Sequence, residues 1–330
     1  MMAIIEVNEL VKEFKVKKKK KGLRGAILNL FYAEKMIVRA VDNISFDIKQ
    51  GEIVGYIGPN GAGKSTTVKM MSGILHPTSG SVMIDGISPQ SNRKKVVAQL
   101  GVVFGQRTQL YWDLRLGESF ELLKRIYNID HKTYKKNLDL MDKVLKINTI
   151  INRPVRQLSL GQRMRGDLAA AMLHSPKILF LDEPTIGLDI EAKHSVRNFI
   201  RQINRELGIT VILTTHDLDD VQQLCNRLIV INDGKKIEDG PLDILIDKMA
   251  PYRLLVVDMN EENTDFSHEA AQIIKTEGQR VWYRFEKNKI TASQLISELS
   301  KKYAIKDISV EEPDIEEAIR EIYKLTYCRL

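Results

Sequence analysis

Cysteine is scarce: Cys225 and Cys328 are the two in 330 residues, and they offer neither a disulfide framework nor a metal-ligand spacing. Reduced thiols in a cytosolic protein are the expectation. Long apolar runs are missing as well. No stretch approaches the ~18 residues of a membrane span, and the start, Met1-Met2-Ala3-Ile4-Ile5-Glu6, has no signal-peptide pattern. Sustained heptads are absent, which leaves no long coiled coil. What remains is ordinary for a globular chain, with 43% hydrophobic and 28% charged residues. The length suits one large domain plus a smaller one.

Charge is present but confined. The formal net charge is +7, yet residues 15–39 hold nine Lys or Arg against the single acid Glu34. The remainder carries 41 basic and 42 acidic side chains, so the body is close to neutral. One local segment sets the basic balance, and no nucleic-acid partner is expected.

Residues 4–14 alternate like a strand and break at a lysine run, and a second strand is expected over Val38–Ile48 before the turn Gln50-Gly51-Glu52. Further strands are expected at Ile53–Ile57, Ser81–Asp85, Leu100–Phe104, Ile178–Leu181 and Val211–Thr215, and a hairpin over Arg227–Glu238 turning at Asn232-Asp233-Gly234. Helical spacing marks Lys64–Gly73, Glu118–Tyr127, Tyr134–Ile147 and Glu191–Glu206. Strands alternating with helices predict an α/β fold with a mostly parallel sheet and a helical insertion over about 106–165. Past Gly240-Pro241 a small α+β domain is expected over 241–330: strand 254–258, helix 267–276, strand 281–285, helix 292–303, strand 308–311 and helix 315–325.

Gly58-Pro59-Asn60-Gly61-Ala62-Gly63-Lys64-Ser65 fits G-x-x-x-x-G-K-[ST] between a predicted strand and a predicted helix. Its glycines let backbone N–H groups converge on a phosphate at a helix N-terminus. Lys64 would reach the β/γ oxygens of a nucleotide, and the Ser65 hydroxyl would face Mg²⁺. The apolar strand Ile178–Leu181 ends in Asp182 and Glu183. Unpaired charge behind such a run is costly, so both acids call for a use. Asp182 suits the Mg²⁺ shell through water, and Glu183, on the opposite side, suits a general base for an attacking water. His216 ends a third apolar strand, where it would sense a γ-phosphate and orient water; a structural histidine is the plainer alternative.

In this order, and with Leu158-Ser159-Leu160-Gly161-Gln162 opening a helix ahead of the acids, the segments over about 4–240 resemble an ABC transporter nucleotide-binding subunit, with Leu158–Gln162 resembling that family's signature. The resemblance implies a P-loop NTPase domain of that type, with a mixed sheet core, an antiparallel β subdomain and the helical insertion. It implies ATP and Mg²⁺ as cofactors, and a second such subunit, in a homodimer, whose ATP on Gly58–Thr66 is capped by this chain's Ser159 and Gly161. Leu160 stands where the family more usually has glycine. The resemblance also implies that Asp189, in Ile186-Gly187-Leu188-Asp189, anchors the dimer seam, and that Phe14 stacks on adenine, with a core role as the alternative. Gln106 is taken as the glutamine touching Mg²⁺ and the lytic water, with Gln109 as its competitor. Val102 through Asp113 and the C-terminal Glu311–Glu317 stretch resemble exporters with separate ABC-2-type permeases, which places the chain on the cytoplasmic face of the cell membrane.

Relative to that family about twenty residues are inserted, over roughly 15–37. Lys17–Lys21 is followed by Leu23, Ile27, Leu30 and Phe31 near one helical face, a combination that can bind anionic lipid at ~1 kcal/mol per basic residue. A solvated loop is the plain alternative. An ABC-type ATPase without a permease would bring tandem ATPase halves or coiled-coil inserts, and a nucleotide-dependent regulator would bring a damaged acid pair. The chain has one set of motifs, and both carboxylates are intact.

Overall fold

The computed structural model describes residues 3–17, 35–105, 107–260, 267–313, 315–316, 319–320 and 322. Contacts divide the chain into two compact units, Met1–Asp239 and Gly240–Leu330.

The first unit is built on a six-stranded sheet of order β5-β6-β7-β3-β8-β9, formed by Leu100–Phe104, Ile178–Asp182, Thr210–Thr214, Ile53–Ile57, Arg227–Asn232 and Lys235–Pro241. The first five pair in parallel, and β9 returns from β8 through Asp233-Gly234, both at positive φ. The parallel strands are short and buried on both faces, as the apolar runs require. A second sheet, order β2-β1-β4, is antiparallel and comprises Lys35–Lys49, Ala3–Lys17 and Ser79–Ile84. Between the sheets lies one core: Ile5, Val7 and Leu10 from β1 and Ile44 and Phe46 from β2 meet Tyr56 of β3 and Phe180 of β6.

Helix α1, Lys64–Met71, enters this core through Met70 and Met71, both 0% exposed. The buried Tyr56 hydroxyl lies 3.2 Å from Thr67 Oγ1 and ties β3 to α1, fixing both ends of the intervening glycine loop. Helices Leu116–Ile126 and His131–Leu145 pack on helix Leu160–Met172 to form the helical insertion. Cys225 is a free, buried thiol, and Cys328 lies outside the described residues.

Strands β1 and β2 run further than the expected break, with Val16 opposite Met36 and Lys17 opposite Lys35. Phe14, Val16 and Val38 are strong strand formers, and Phe14 pairs with Val38 and Val16 with Met36 across the ribbon. The amphipathic helix expected within Gly22–Ala33, and Lys18–Lys21, lie outside the described residues.

In the second unit Tyr252–Met259 (β10), Ala271–Glu277 (β11), Arg280–Glu286 (β12) and Ile305–Glu311 (β13) form a four-stranded sheet of order β11-β12-β10-β13, which packs Leu255, Val257, Val281, Tyr283 and Phe285 against Leu295 and Leu299 of helix Ala292–Lys302. Two elements differ from expectation: Leu242–Met249 forms a helix that was not expected, and 267–276 is not a helix. Ala271–Glu277 is strand β11, paired with β12 across a tight turn holding Gly278 at φ 58°. Ala270, Ala271 and Ile273 fit either periodicity, and the hairpin partner decides in favour of the strand. The helix expected over 315–325 falls mostly outside the described residues, although 315, 316, 319, 320 and 322 are helical.

Candidate functional site

The phosphate loop leaves fully buried β3 and wraps into α1. A Cβ at Gly58 would lie 2.3 Å from the Ile231 carbonyl oxygen, and one at Gly63 would lie 2.4 Å from that of Ala40. Gly63 also holds φ 103° and begins the helix with no side-chain cap, which leaves the first N–H groups of α1 for an anion. The hairpin turn braces the loop: Gly234 N–H donates to the Ala62 carbonyl at 3.1 Å, and Asp42 N–H to that of Gly234 at 2.8 Å. Lys64 Nζ donates back to the Gly58 and Pro59 carbonyls at 2.6 and 3.0 Å. Burial pulls its pKa down, while Glu183 and Asp182 push it up.

Across the cleft stand the acids. Asp182 ends β6 in register with Phe104 of β5 and Thr214 of β7 and accepts a short hydrogen bond from the Thr214 hydroxyl. A regular strand would send Glu183 to the opposite face, as the sequence suggests. Instead Glu183 adopts φ 54°, its N–H donates to the Thr214 carbonyl at 2.8 Å, and both acids line one cleft. A non-glycine residue held there costs ~1–3 kcal/mol, which the surrounding structure must offset. Gly105 allows this geometry: a Cβ at 105 would sit 2.0 Å from the Glu183 carbonyl oxygen. His216 follows β7 and places Nδ1 2.9 Å from Glu183 Oε1, with 64% of its side chain exposed.

The cleft encloses about 430 Å³ and is lined by Asn60, Gly61, Gly63, Lys64, Ser65 and Thr66 facing Asp182 and Glu183. Ala40, Lys69 and Arg107 also line it, and the sequence reading missed all three. Lys69 had a signal, lying one helical turn past Ser65; Arg107 had none beyond its adjacency to Gln106. Gln106 lies outside the described residues. Gln109 is occupied elsewhere, its carboxamide donating to the Asp167 carbonyl at 3.1 Å. Phe14 is 39% exposed opposite Val38, with Lys12 Nζ 5.4 Å from its ring, and is not among the residues lining the cleft.

The second motif stands apart from the first. Ser159 caps helix Leu160–Met172, its Oγ accepting from Gln162 N at 3.2 Å while Gln162 Oε1 accepts from Ser159 N at 3.1 Å. Ser159, Gly161 and Gln162 line a different cleft, about 460 Å³, together with Asp189, Lys146 and Arg165. Leu158 is buried beneath. Asp189 Oδ1 accepts from Ala192 N at 2.7 Å and so caps the helix Ile190–Leu207, a role within the chain that the sequence reading did not assign. Leu160 turns toward that same loop, its Cδ2 lying 3.1 Å from where a Cβ on Gly187 would stand.

Residues 41–186 match the ABC transporter family model. Over 215 residues the chain is 35% identical to the ABC transporter ATP-binding protein NatA of Bacillus subtilis, covering 65% of this chain and 87% of that protein. The chain belongs to the ATP-binding subunits of ABC transporters. It resembles the bacitracin transport ATP-binding protein BcrA of Bacillus licheniformis at 34% identity, covering 65% of this chain and 69% of BcrA. Among solved structures, the cassette MJ0796 in a dimeric post-hydrolysis state with ADP and Pi matches with TM-score 0.59 at 27% identity, over 72% of this chain and 98% of that one. CbiO1 from Clostridium perfringens, part of the complex cbiONQ, matches with TM-score 0.60 at 28% identity, over 74% and 92%. The fold is therefore the α/β P-loop fold of ABC ATPases, and the chain is an ATPase subunit of a transporter. Among the described residues no helix is long and apolar enough to cross a membrane.

Proposed function

We propose that this subunit drives export by closing face to face with a second copy, each chain holding ATP on Gly58–Thr66 and capping the partner's nucleotide with Leu158–Gln162. The observation that carries this reading is the separation of the two motifs: within one chain the phosphate loop and the Ser159–Gly161 turn line different clefts. A site split this way is completed by an isologous dimer. MJ0796, a relative in structure, is dimeric with ADP and Pi.

Glu183 takes a proton from the attacking water, and His216, 2.9 Å from it, orients that water and the γ-phosphate. Lys64 leaves its carbonyl partners for the β/γ oxygens. Mg²⁺ fits the donor set, because the Ser65 hydroxyl and the Asp182 carboxylate line one cleft and such an ion keeps several waters. Ser65, Gln106 and, through water, Asp182 would hold it, and it would neutralise charge on the leaving phosphate. Phe14 stacks on adenine, and Asp189 meets the partner at the seam.

The exporter reading places separate ABC-2-type permeases on the helical insertion, where Tyr111 and Trp112 are 42% and 51% exposed beside a groove lined by Arg115, Glu118 and Arg125. The subunit then sits on the cytoplasmic membrane face. Lys17–Lys21 add an anionic-lipid contact, which requires that neutralising them weakens liposome binding or complex assembly.

A complementation assay tests the two-chain site. Lys64→Ala loses the phosphate half and Ser159→Arg loses the capping half. Each is expected to be inactive alone, and an equal mixture should recover up to about a quarter of turnover, because half the dimers carry one intact site of two. A mixture as inactive as its parts, or a fully active Ser159→Arg chain, overturns the reading.

A further inference from the structure

The helix that begins at Ser159 carries one carboxylate in an apolar stretch: Asp167, 4% exposed, between Gly166 and Leu168–Met172. An acid buried there is costly unless it is partnered. Its hydrogen-bond partners come from a single loop. Thr108 Oγ1 donates to Asp167 Oδ1 at 2.9 Å, and Gln109 N donates to the same oxygen at 3.0 Å. Gln109 Nε2 adds a bond to the Asp167 carbonyl at 3.1 Å, and Leu110 N–H donates to Thr108 Oγ1 at 3.0 Å, so the loop is folded around the acid. One residue earlier, a Cβ on Gly166 would lie 3.0 Å from Leu110 of the loop and 2.9 Å from Leu116 of the helix that follows it, so both press closely on this helix. Arg163, one helical turn before Asp167, exerts its charge on the acid and stacks 5.3 Å from the Trp112 ring centroid.

The loop's two ends lie in different places. Gly105 and Arg107 line the phosphate cleft, whereas Tyr111 and Trp112 are exposed on the helical insertion. The helix it grips opens at Ser159 and Gly161, in the other cleft. We infer that Asp167 is a positioning residue that fastens loop 107–112 to the signature helix, so that nucleotide-driven movement of the loop carries Ser159 and Gly161 with it. A carboxylate suits the task, because one oxygen accepts from a side chain and a backbone N–H of the loop together. The acid lines neither cleft and acts through the geometry of the capping turn.

The inference rests on the two-chain site proposed above. It is tested with steady-state ATPase kinetics and ADP affinity on the full chain. Asp167→Ala frees the loop, and kcat is expected to fall about 10- to 100-fold, the scale of a small misplacement of a catalytic group. KM for ATP and ADP affinity should stay within about threefold, because the phosphate cleft is intact. Asp167→Asn keeps an acceptor oxygen and should restore kcat to within about threefold of the parent. Thr108→Val, which removes one bond from the loop side, should lower kcat by an intermediate factor at constant KM, and it stands in if Asp167→Ala does not fold. An unchanged kcat in Thr108→Val or in folded Asp167→Ala overturns the inference, as does a kcat loss matched by loss of ADP affinity. Failure of the two-chain reading itself would show in the parent chain, as turnover strictly proportional to protein concentration with no ATP-dependent dimer.

Discussion

The phosphate cleft and the signature cleft belong to one chain and are built by opposite means. On the phosphate side the backbone is forced: Gly61 and Gly63 hold φ 85° and 103°, Glu183 holds φ 54°, and Gly105 passes too close for any side chain. The signature side is relaxed, a helix N-terminus whose capping box closes on itself through Ser159 and Gln162. Strain on one side holds reactive groups where a nucleotide must meet them. Relaxation on the other produces a preformed surface to present to something else. On the two-chain reading proposed above, a single chain carries the phosphate cradle and only half of a complete site.

Breaking the forced side should give the larger effect. Lys64→Ala removes the charge that faces Asp182 and Glu183, and ATP affinity is expected to drop by at least about 100-fold in equilibrium binding. Near-parental affinity would mean the cleft is not the nucleotide site. Ser159→Arg disturbs only the relaxed side. Turnover should fall about 100-fold while ADP affinity of the single chain stays within about twofold. Equal loss of both would merge the two clefts into one and end the comparison.

The link between the sides has its own pH signature. Burial pushes the Asp167 carboxyl up to about 6 from 3.8, although hydrogen bonds from Gln109 and Thr108 and the charge of Arg163 pull it down. The folded chain thus holds this proton more tightly than the unfolded chain, and stability falls as pH rises through this window. Asp167→Asn lacks the titration. Measured by denaturant unfolding, the stability difference between parent and variant should move in the parent's favour by about 2 kcal/mol from pH ~7 to pH ~4. A flat difference would mean that Asp167 titrates as an ordinary surface acid. Leu160→Gly is the smallest change. The side chain packs toward Gly187 within its own chain, so turnover should stay within about threefold while stability drops by ~1 kcal/mol on thermal unfolding. A large loss of turnover would instead assign Leu160 a role across the seam.

How much was legible follows from the same contrast. Strands β3 and β5 coincide with their apolar runs, and β6 and β7 agree within a residue, because short strands buried on both faces leave continuous apolar segments bounded by polar ones. The glycine loop was readable because its residue types are dictated by backbone geometry. Strand β11 was not, since an edge strand takes its identity from the hairpin partner. Two site features were also hidden. Glu183 sits on the same side as Asp182 only because of one left-handed residue, which no periodicity encodes. Asp167 did leave a trace, an acid inside an alanine-rich helix, but its partners lie 58 and 59 positions away.

Glu183→Gln tests the central claim most directly, since it removes the proposed base and leaves both clefts otherwise in place. With ATP present, size-exclusion chromatography with light scattering should give a stable species of twice the single-chain mass that retains unhydrolysed ATP. A variant that stays single with ATP, or turns over at the parental rate, would contradict a site shared between two chains and closed around Glu183.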